Sequence, residues 1–176
     1  MKGRNVLVTG GQKSGKSRYA LMLADAVGGE KFFVATAQPL DGDMARRIER
    51  HRMERGEQWK TIEEPVAIAP VLDKLRGSDG VLIIDCLTLW TSNMLEQADE
   101  TAFLQKVEEL SQSVAKFGGT VILVTNEVGL GIIPAGPVAR EYCNRLGMVN
   151  QKMAEVCHSV VMLVAGLPIF IKGDKL

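Results

Sequence analysis

The sequence GGQKSGKS, residues 10–17, follows the first apolar run of the chain, residues 5–9, and precedes a stripe of apolar residues at helical spacing. It matches the pattern G-x-x-x-x-G-K-[ST], in which glycines let backbone N–H groups turn around a phosphate. In that pattern Lys16 reaches the terminal phosphate oxygens and the Ser17 hydroxyl binds Mg²⁺. The alternative is a chance match in a glycine-rich turn, but the flanking strand and helix favour a nucleoside triphosphate site.

The whole loop is therefore expected to contact a nucleotide, through Gly10, Gly11, Gln12, Lys13, Ser14, Gly15, Lys16 and Ser17. An acidic residue at the end of another strand should complete the site. Asp85 ends the apolar run VLIID, so we expect it to hold Mg²⁺ together with Ser17. The alternative role of Asp85 is to cap the next turn. The neighbouring Cys86 is expected to be a small buried side chain rather than a nucleophile.

Short apolar runs alternate with helical periodicity along the chain. The expected strands are residues 5–9, 32–35, 80–85, 120–125, 160–164 and 169–171. Most of them are continuously apolar, as in parallel strands that are covered on both faces. This alternation predicts an α/β fold, a three-layer sandwich with a mostly parallel sheet, in one domain over residues 1–176.

Composition argues against several classes of protein. Lys plus Arg and Asp plus Glu each number 21, so the net charge is zero, which argues against a nucleic-acid partner. The apolar stretch VVMLVAGLPIFI is interrupted by Gly166 and Pro168 and is too short to span a membrane. The three cysteines form no C-x-x-C pair, so we expect neither a disulfide framework nor a zinc site, and we expect a cytoplasmic location.

The segment DGDMARRIERHRMER, residues 41–55, has the pattern of a helix rich in arginine, with Asp41 or Asp43 as its N-cap. Arg47, His51 and Arg55 are four residues apart and should share one face, which would attract a triphosphate. A neutral imidazole is also a competent nucleophile toward phosphorus. The alternative is a solvated charged helix, and composition alone favours this alternative.

The stretch VTNEVGLGIIP, residues 124–134, follows a predicted strand. Asn126 and Glu127 should therefore lie at the carboxyl end of the sheet, where α/β proteins bind ligands. Gly129 and Gly131 would let the backbone approach a ligand. This pattern favours a binding loop over an ordinary turn.

Taken together, these motifs resemble the bifunctional adenosylcobinamide kinase/adenosylcobinamide-phosphate guanylyltransferase family of cobalamin synthesis. The resemblance covers essentially the whole chain and rests on the segments LVTGGQKSGKSRYA, VATAQPLDGDMARRIERHRMERGEQW, IIDCLTLWTSN, VTNEVGLGIIP and RLGMVNQKMAEV…LVAGLPIFIK.

The resemblance implies a P-loop NTPase fold of the RecA-like type, a homotrimer and two reactions. A nucleoside triphosphate, ATP or GTP, phosphorylates the aminopropanol hydroxyl of adenosylcobinamide. GTP then donates GMP to adenosylcobinamide phosphate through a guanylylated histidine. The motif R-I-x-x-H-x-x-x-R-x-x-x-W aligns that histidine with His51, and the resemblance thereby overrides the composition-based interpretation of this helix.

The predicted catalytic residues are thus His51 and Lys16. The predicted nucleotide-binding set adds Arg47, Arg55, Glu63 and Asp85 to the loop. Two other functions stay open from the residues alone: another small-molecule kinase with the same loop, and a RecA-like ATPase that acts on a macromolecule.

Overall fold

The computed structural model describes residues 3–95 and 97–173 and contains one seven-stranded sheet. In chain order its strands are β1 (Val6–Gly10), β2 (Lys31–Ala35), β3 (Trp59–Glu63), β4 (Val81–Asp85), β5 (Thr120–Val124), β6 (Ser159–Val164) and β7 (Leu167–Lys172). The order across the sheet is β3-β2-β4-β5-β1-β6-β7. The strands pair in parallel, except that β7 runs antiparallel to β6.

Helices lie on both faces of this sheet. They are α1 (Lys16–Val27), α2 (Gly42–Arg55), α3 (Ile68–Lys74), α4 (Leu87–Met94), α5 (Glu100–Lys116) and α6 (Pro137–Val156). Successive residues of a strand point to opposite faces, so Leu82 and Ile84 pack with α3–α6, whereas Val81 and Ile83 pack with α1. The predicted three-layer α/β sandwich with a mostly parallel sheet is confirmed.

The strands expected from the sequence correspond to six of the seven, and β3 was missed. This strand lies at the edge of the sheet and has one buried residue, Trp59, while Lys60, Thr61 and Glu63 are exposed. It lacks the continuous apolar run by which the other strands were found, because an edge strand need bury only part of one face. Among the described residues no helix is both long and apolar enough to cross a bilayer.

The parallel strands bring several chain segments to one edge of the sheet. Ala35, Asp85 and Val124 end β2, β4 and β5, and Asp85 is the register partner of both Ala35 and Val124. Gly10 ends the parallel strand β1 at the same edge. The loop at residues 10–17 and the segment after residue 124 therefore meet here, as the sequence predicted.

At the opposite end of the sheet, where β2 and β4 begin, the backbone packs closely at Gly80. A Cβ at this position would lie 2.1 Å from the carbonyl oxygen of Glu30, closer than atoms can approach. At Gly77, in the same connection, an added Cβ would meet nothing within 4 Å, and the φ of this residue is ordinary. The two glycines thus form a matched pair for mutation.

We expect Gly80→Ala to lower the free energy of unfolding by about 1–3 kcal/mol, because the added methyl forces the start of β4 away from β2. Gly77→Ala should change it by less than about 0.5 kcal/mol. Chemical denaturation of both variants measures the difference. Equal stability of the two variants would contradict the packing described at Gly80.

Candidate active site

The loop between β1 and α1 has the backbone that a phosphate cradle requires. Gly10, Lys13 and Gly15 have φ values of 137°, 57° and 97°. At Gly10 a Cβ would lie 2.4 Å from the carbonyl oxygen of Leu163 in β6, so only glycine fits there. These left-handed positions fold the loop into a tight turn over the carboxyl end of β1.

The turn between β6 and β7 contacts this loop through a backbone hydrogen bond. The Gly166 N–H donates a hydrogen bond to the Ser14 carbonyl oxygen at 3.1 Å. Gly166 and Ala165 both have positive φ, which makes the reversal from β6 into β7 possible. The β6–β7 hairpin therefore stabilises the conformation of the loop, and β7 also forms the last strand of the sheet.

Lys16 and Ser17 begin α1, where the unpaired N–H groups of the helix favour an anion. Lys16 is 8% exposed, and its Nζ donates to the Gly11 carbonyl oxygen at 2.6 Å. Burial lowers the pKa of Lys16, while the nearby carboxylate of Asp85 opposes that shift. A desolvated ammonium beside the loop is well placed to bind phosphate oxygens.

Asp85 lies at the end of β4 beside the start of α1. The Ser17 hydroxyl donates to Asp85 Oδ2 at 3.2 Å. Burial raises the pKa of Asp85, and the neighbouring His51, the hydrogen bond from Ser17 and the guanidinium groups of Arg47 and Arg55 oppose that shift. The cationic groups around Asp85 thus favour its ionised form, in which it can bind a metal ion.

Ser17 and Asp85 are also the pair that fits Mg²⁺. Both supply oxygen ligands, and Mg²⁺ commonly takes one or two protein oxygens and completes its shell with water and substrate phosphates. Within residues 3–95 and 97–173, no group of three or more His, Cys, Asp or Glu side chains is arranged to hold a metal ion without such help. Ser17 and Asp85 could therefore hold a metal ion that a nucleotide also binds.

A buried hydrogen-bond pair fixes the turn from β4 into α4. The Thr36 hydroxyl donates to the Cys86 carbonyl oxygen and accepts from the Cys86 N–H, both at 2.8 Å. Asn93 of α4 donates to the Thr36 carbonyl oxygen at 2.8 Å. Cys86 is buried, as expected, and burial raises its pKa to about 11, which keeps the thiol protonated and poorly nucleophilic.

The helix α2 presents its charged face to the same region. Asp41 accepts a hydrogen bond from the Met44 N–H at 2.7 Å and caps the helix, as one of the two predicted caps. A cavity of about 420 Å³ lies between this face and the phosphate loop. Its lining residues are Gln12, Lys13, Ser14, Gly15, Lys16, Ser17, Arg18, Arg47, Arg50, His51, Asp85, Cys86, Val124, Asn126, Glu127 and Val128.

Arg55 lies one turn deeper than His51 on the same helix face. Its guanidinium carbon is 3.8 Å from the centre of the Phe33 ring, and the residue is buried. Burial lowers the pKa of Arg55, while Asp85 opposes that shift. Among the described residues, Arg55 Nε has no hydrogen-bond partner. Arg47, His51 and Arg55 therefore share one face, as their spacing predicted, but Arg55 lies beside the main cavity rather than lining it.

The rest of α2 packs weakly. Within the described residues, none of its side chains belongs to either hydrophobic cluster. Met44 and Ile48 are only partly buried and Met53 is exposed. The stacking of Arg55 on Phe33 is thus the main buried attachment of this helix, at its carboxyl end.

The segment after β5 is held in place by polar side chains that sequence reasoning missed. The Asn126 N–H donates to Thr88 Oγ1 at 2.9 Å, and Asn150 Nδ2 donates to the Asn126 carbonyl oxygen at 3.1 Å. The Glu127 N–H donates to the Gly10 carbonyl oxygen at 3.2 Å. Thr88 and Asn150 are polar residues among several others in their helices, a pattern too common to identify a site. Asn126 and Glu127 line the cavity, in agreement with their expected position.

The cavity lining differs from the predicted nucleotide-binding residues at three further charged positions. Glu63 is exposed at the end of the edge strand β3 and does not line the cavity, so its role in nucleotide binding stays a prediction. Arg18 and Arg50 do line the cavity and were not in the predicted set. Their signal was present in the sequence, since each stands close to a predicted site residue.

Solved structures with the same fold include several ATPases. The flagellar accessory protein FlaH from Methanocaldococcus jannaschii superposes with a TM-score of 0.57 at 14% identity, covering 98% of this chain and 80% of FlaH. A prototypical ATPase from the type III secretion system of pathogenic bacteria gives a TM-score of 0.59 at 12% identity, covering 93% of this chain and 51% of that ATPase. At such low identity these similarities establish the fold alone.

Sequence relatives are much more similar. The bifunctional adenosylcobalamin biosynthesis protein CobP of Pseudomonas aeruginosa is 42% identical over 170 residues, 97% of this chain and 98% of CobP. The bifunctional adenosylcobalamin biosynthesis protein CobU of Escherichia coli is 34% identical over 181 residues, 95% of this chain and 99% of CobU. The family model for cobinamide kinase / cobinamide phosphate guanyltransferase matches residues 6–171. The resemblance that the motifs indicated is confirmed, and this chain belongs to the cobinamide kinase / cobinamide phosphate guanyltransferase family.

Proposed function

We propose that this chain phosphorylates adenosylcobinamide with a nucleoside triphosphate and then transfers GMP from GTP to adenosylcobinamide phosphate. One observation carries the proposal beyond family membership: His51 and the phosphate loop line the same cavity. A nucleotide whose phosphates lie on the loop is therefore within the space that the imidazole faces.

In the kinase step the protein supplies position and charge. The loop N–H groups, the amino end of α1 and Lys16 bind the β- and γ-phosphates, and Arg47 and Arg50 add positive charge from α2. The substrate hydroxyl attacks the γ-phosphorus and releases its proton to solvent, the bond from the γ-phosphorus to the bridging oxygen breaks, and the nucleoside diphosphate leaves. When bound by Ser17 and Asp85, Mg²⁺ would neutralise charge on the β- and γ-phosphates.

In the guanylyl-transfer step His51 is the proposed nucleophile. A ring nitrogen attacks the α-phosphorus of GTP, a P–N bond forms, and the bond from the α-phosphorus to the bridging oxygen breaks to release pyrophosphate. A phosphate oxygen of adenosylcobinamide phosphate then attacks the same phosphorus and returns the imidazole. Lys16 and the loop stabilise the negative charge that leaves with the pyrophosphate.

One phosphate cradle serves both steps in this proposal. The weak packing of α2 supports it, because a helix held mainly through Arg55 can bring His51 closer to the loop or withdraw it with little loss of buried apolar area. Arg47 moves with His51 and would follow the phosphates, and Arg55 would anchor the helix beside the nucleotide.

The proposal also covers the domain organisation, the nucleotides, the location and the oligomeric state of the protein. We propose that residues 1–176 act as a single catalytic domain, that ATP and GTP are its nucleotides, and that it works in the cytoplasm, where its free cysteines stay reduced. A homotrimer is also proposed. The apolar side chains that β6 and β7 leave exposed, Val164, Leu167, Ile169 and Ile171, support association between copies.

Lys16→Ala should lower both the phosphorylation of adenosylcobinamide and the loading of GMP onto His51 by about 10²–10³-fold, because both steps use the charge at the loop. Lys116→Ala, an exposed lysine at the end of α5, is the control and should leave both rates unchanged. Assays with γ-labelled ATP and α-labelled GTP measure the two steps separately. Loss of phosphorylation with normal GMP loading would exclude a shared cradle.

His51→Asn should abolish GMP transfer while keeping a measurable kinase rate, because phosphoryl transfer to a hydroxyl needs no histidine intermediate. His158→Asn is the control from the only other histidine in the sequence. His158 accepts a hydrogen bond from the Asn5 N–H at 3.0 Å, outside the cavity, so this variant should keep both activities. Equal loss of both activities in a folded His51→Asn protein would contradict the role of His51.

A further inference from the structure

The nucleotide cavity is too small to hold the whole of adenosylcobinamide, the larger of the two substrates. Adenosylcobinamide is a broad corrin ring with amides around its edge, and its reactive hydroxyl stands at the end of a short arm. A cavity of about 420 Å³ that already receives the triphosphate has room for the arm, not for the ring. The ring must therefore lie on a surface that adjoins the mouth of this cavity.

A second cavity, of about 270 Å³, adjoins the nucleotide cavity through a shared residue. Val128 lines both of them. The second cavity lies between the segment of residues 128–134, here called the apolar loop, and the side chains of Arg140, Cys143 and Asn144 on α6. A ligand seated in it could send an arm past Val128 toward the phosphate loop.

The apolar loop exposes large hydrophobic side chains. Ile132 is 98% exposed, Ile133 is 78% exposed and Leu130 is 74% exposed. Such a concentrated apolar surface is costly in water and marks a binding surface. An aromatic or macrocyclic ring face is the kind of partner that would cover it.

The apolar loop is also fixed at both ends. At its start Asn126 is held by Thr88 and Asn150. At its end Arg140 Nη1 donates to the carbonyl oxygens of Pro134, at 3.0 Å, and of Ala135. The isoleucines are thus presented by a segment with anchored ends, which lowers the entropy that binding must overcome.

From this arrangement we propose that the apolar loop and the adjoining face of α6 bind the corrin ring of the acceptor, an inference that rests on the proposed function. Ile132 and Ile133 contact the ring face. Arg140 and Asn144 line the cavity on the α6 side and donate hydrogen bonds to the peripheral carboxamides. The aminopropanol arm passes Val128 and places its hydroxyl, or its phosphate in the second reaction, beside the nucleotide.

A second copy of the chain is the other occupant that such a surface suggests. Continuity with the nucleotide cavity favours the acceptor, because only the acceptor has to reach the phosphate loop. The polar groups on the α6 side of the cavity suit amide oxygens, and the exposed face of β6 and β7 offers a separate apolar surface for association.

The test is the double variant Ile132→Ser/Ile133→Ser in the full-length protein. Its KM for adenosylcobinamide in the kinase assay should rise by roughly tenfold or more, because apolar contact with the ring is lost. Equilibrium dialysis of adenosylcobinamide should show the same loss of affinity. GMP loading from GTP without acceptor should stay at the wild-type rate, because that half-reaction does not use the ring.

Two further variants serve as controls for the serine variant. Ile132→Leu/Ile133→Leu should restore the wild-type KM, and Leu104→Ser, at an exposed apolar residue of α5, should leave it unchanged. An unchanged KM in the serine variant would overturn the proposal. A smaller oligomer in size-exclusion chromatography, with GMP loading also lost, would overturn it in favour of a contact between copies. Failure of the wild-type protein itself to phosphorylate adenosylcobinamide would instead refute the proposed function, and this site with it.

Discussion

The carbonyl oxygen of Leu163 leaves no room for a side chain at residue 10, and the active site depends on this constraint. With glycine there, β1 can pair tightly with β6 and the chain can turn at once into the phosphate loop. The next hydrogen bond outward, from Gly166 to Ser14, links the loop to the β6–β7 turn. The shape of the anion site is therefore set by the sheet and not by the loop sequence alone.

Charge is concentrated where the sheet ends. Lys16 and Arg55 are buried cations on either side of the partly buried Asp85, and Arg47 and His51 approach it from α2. Each cation is costly to desolvate by itself, but the carboxylate offsets part of that cost. The surplus of positive charge on the loop side suits a triphosphate, whose binding would relieve the repulsion among these groups.

The sequence predicted the layers, the sheet and the carboxyl-edge location of the site, because buried parallel strands and the G-x-x-x-x-G-K-S loop have strong local signals. It missed β3, whose single buried residue, Trp59, carries no periodic pattern. The hydrogen bonds from Thr88 and Asn150 to Asn126 were also out of reach, since they join residues far apart in the chain. Composition alone favoured a solvated charged helix around His51, and the family resemblance, now with the shared cavity, favours a functional histidine instead.

We propose that one imidazole, that of His51, captures a guanylyl group over the same loop that binds the triphosphate. The most direct measurement is the mass of the intact protein after incubation with GTP and Mg²⁺ at a pH that preserves P–N bonds, followed by mapping of the modified residue. We expect a single GMP adduct located on His51. Absence of an adduct, or an adduct on Lys16 instead of His51, would contradict it.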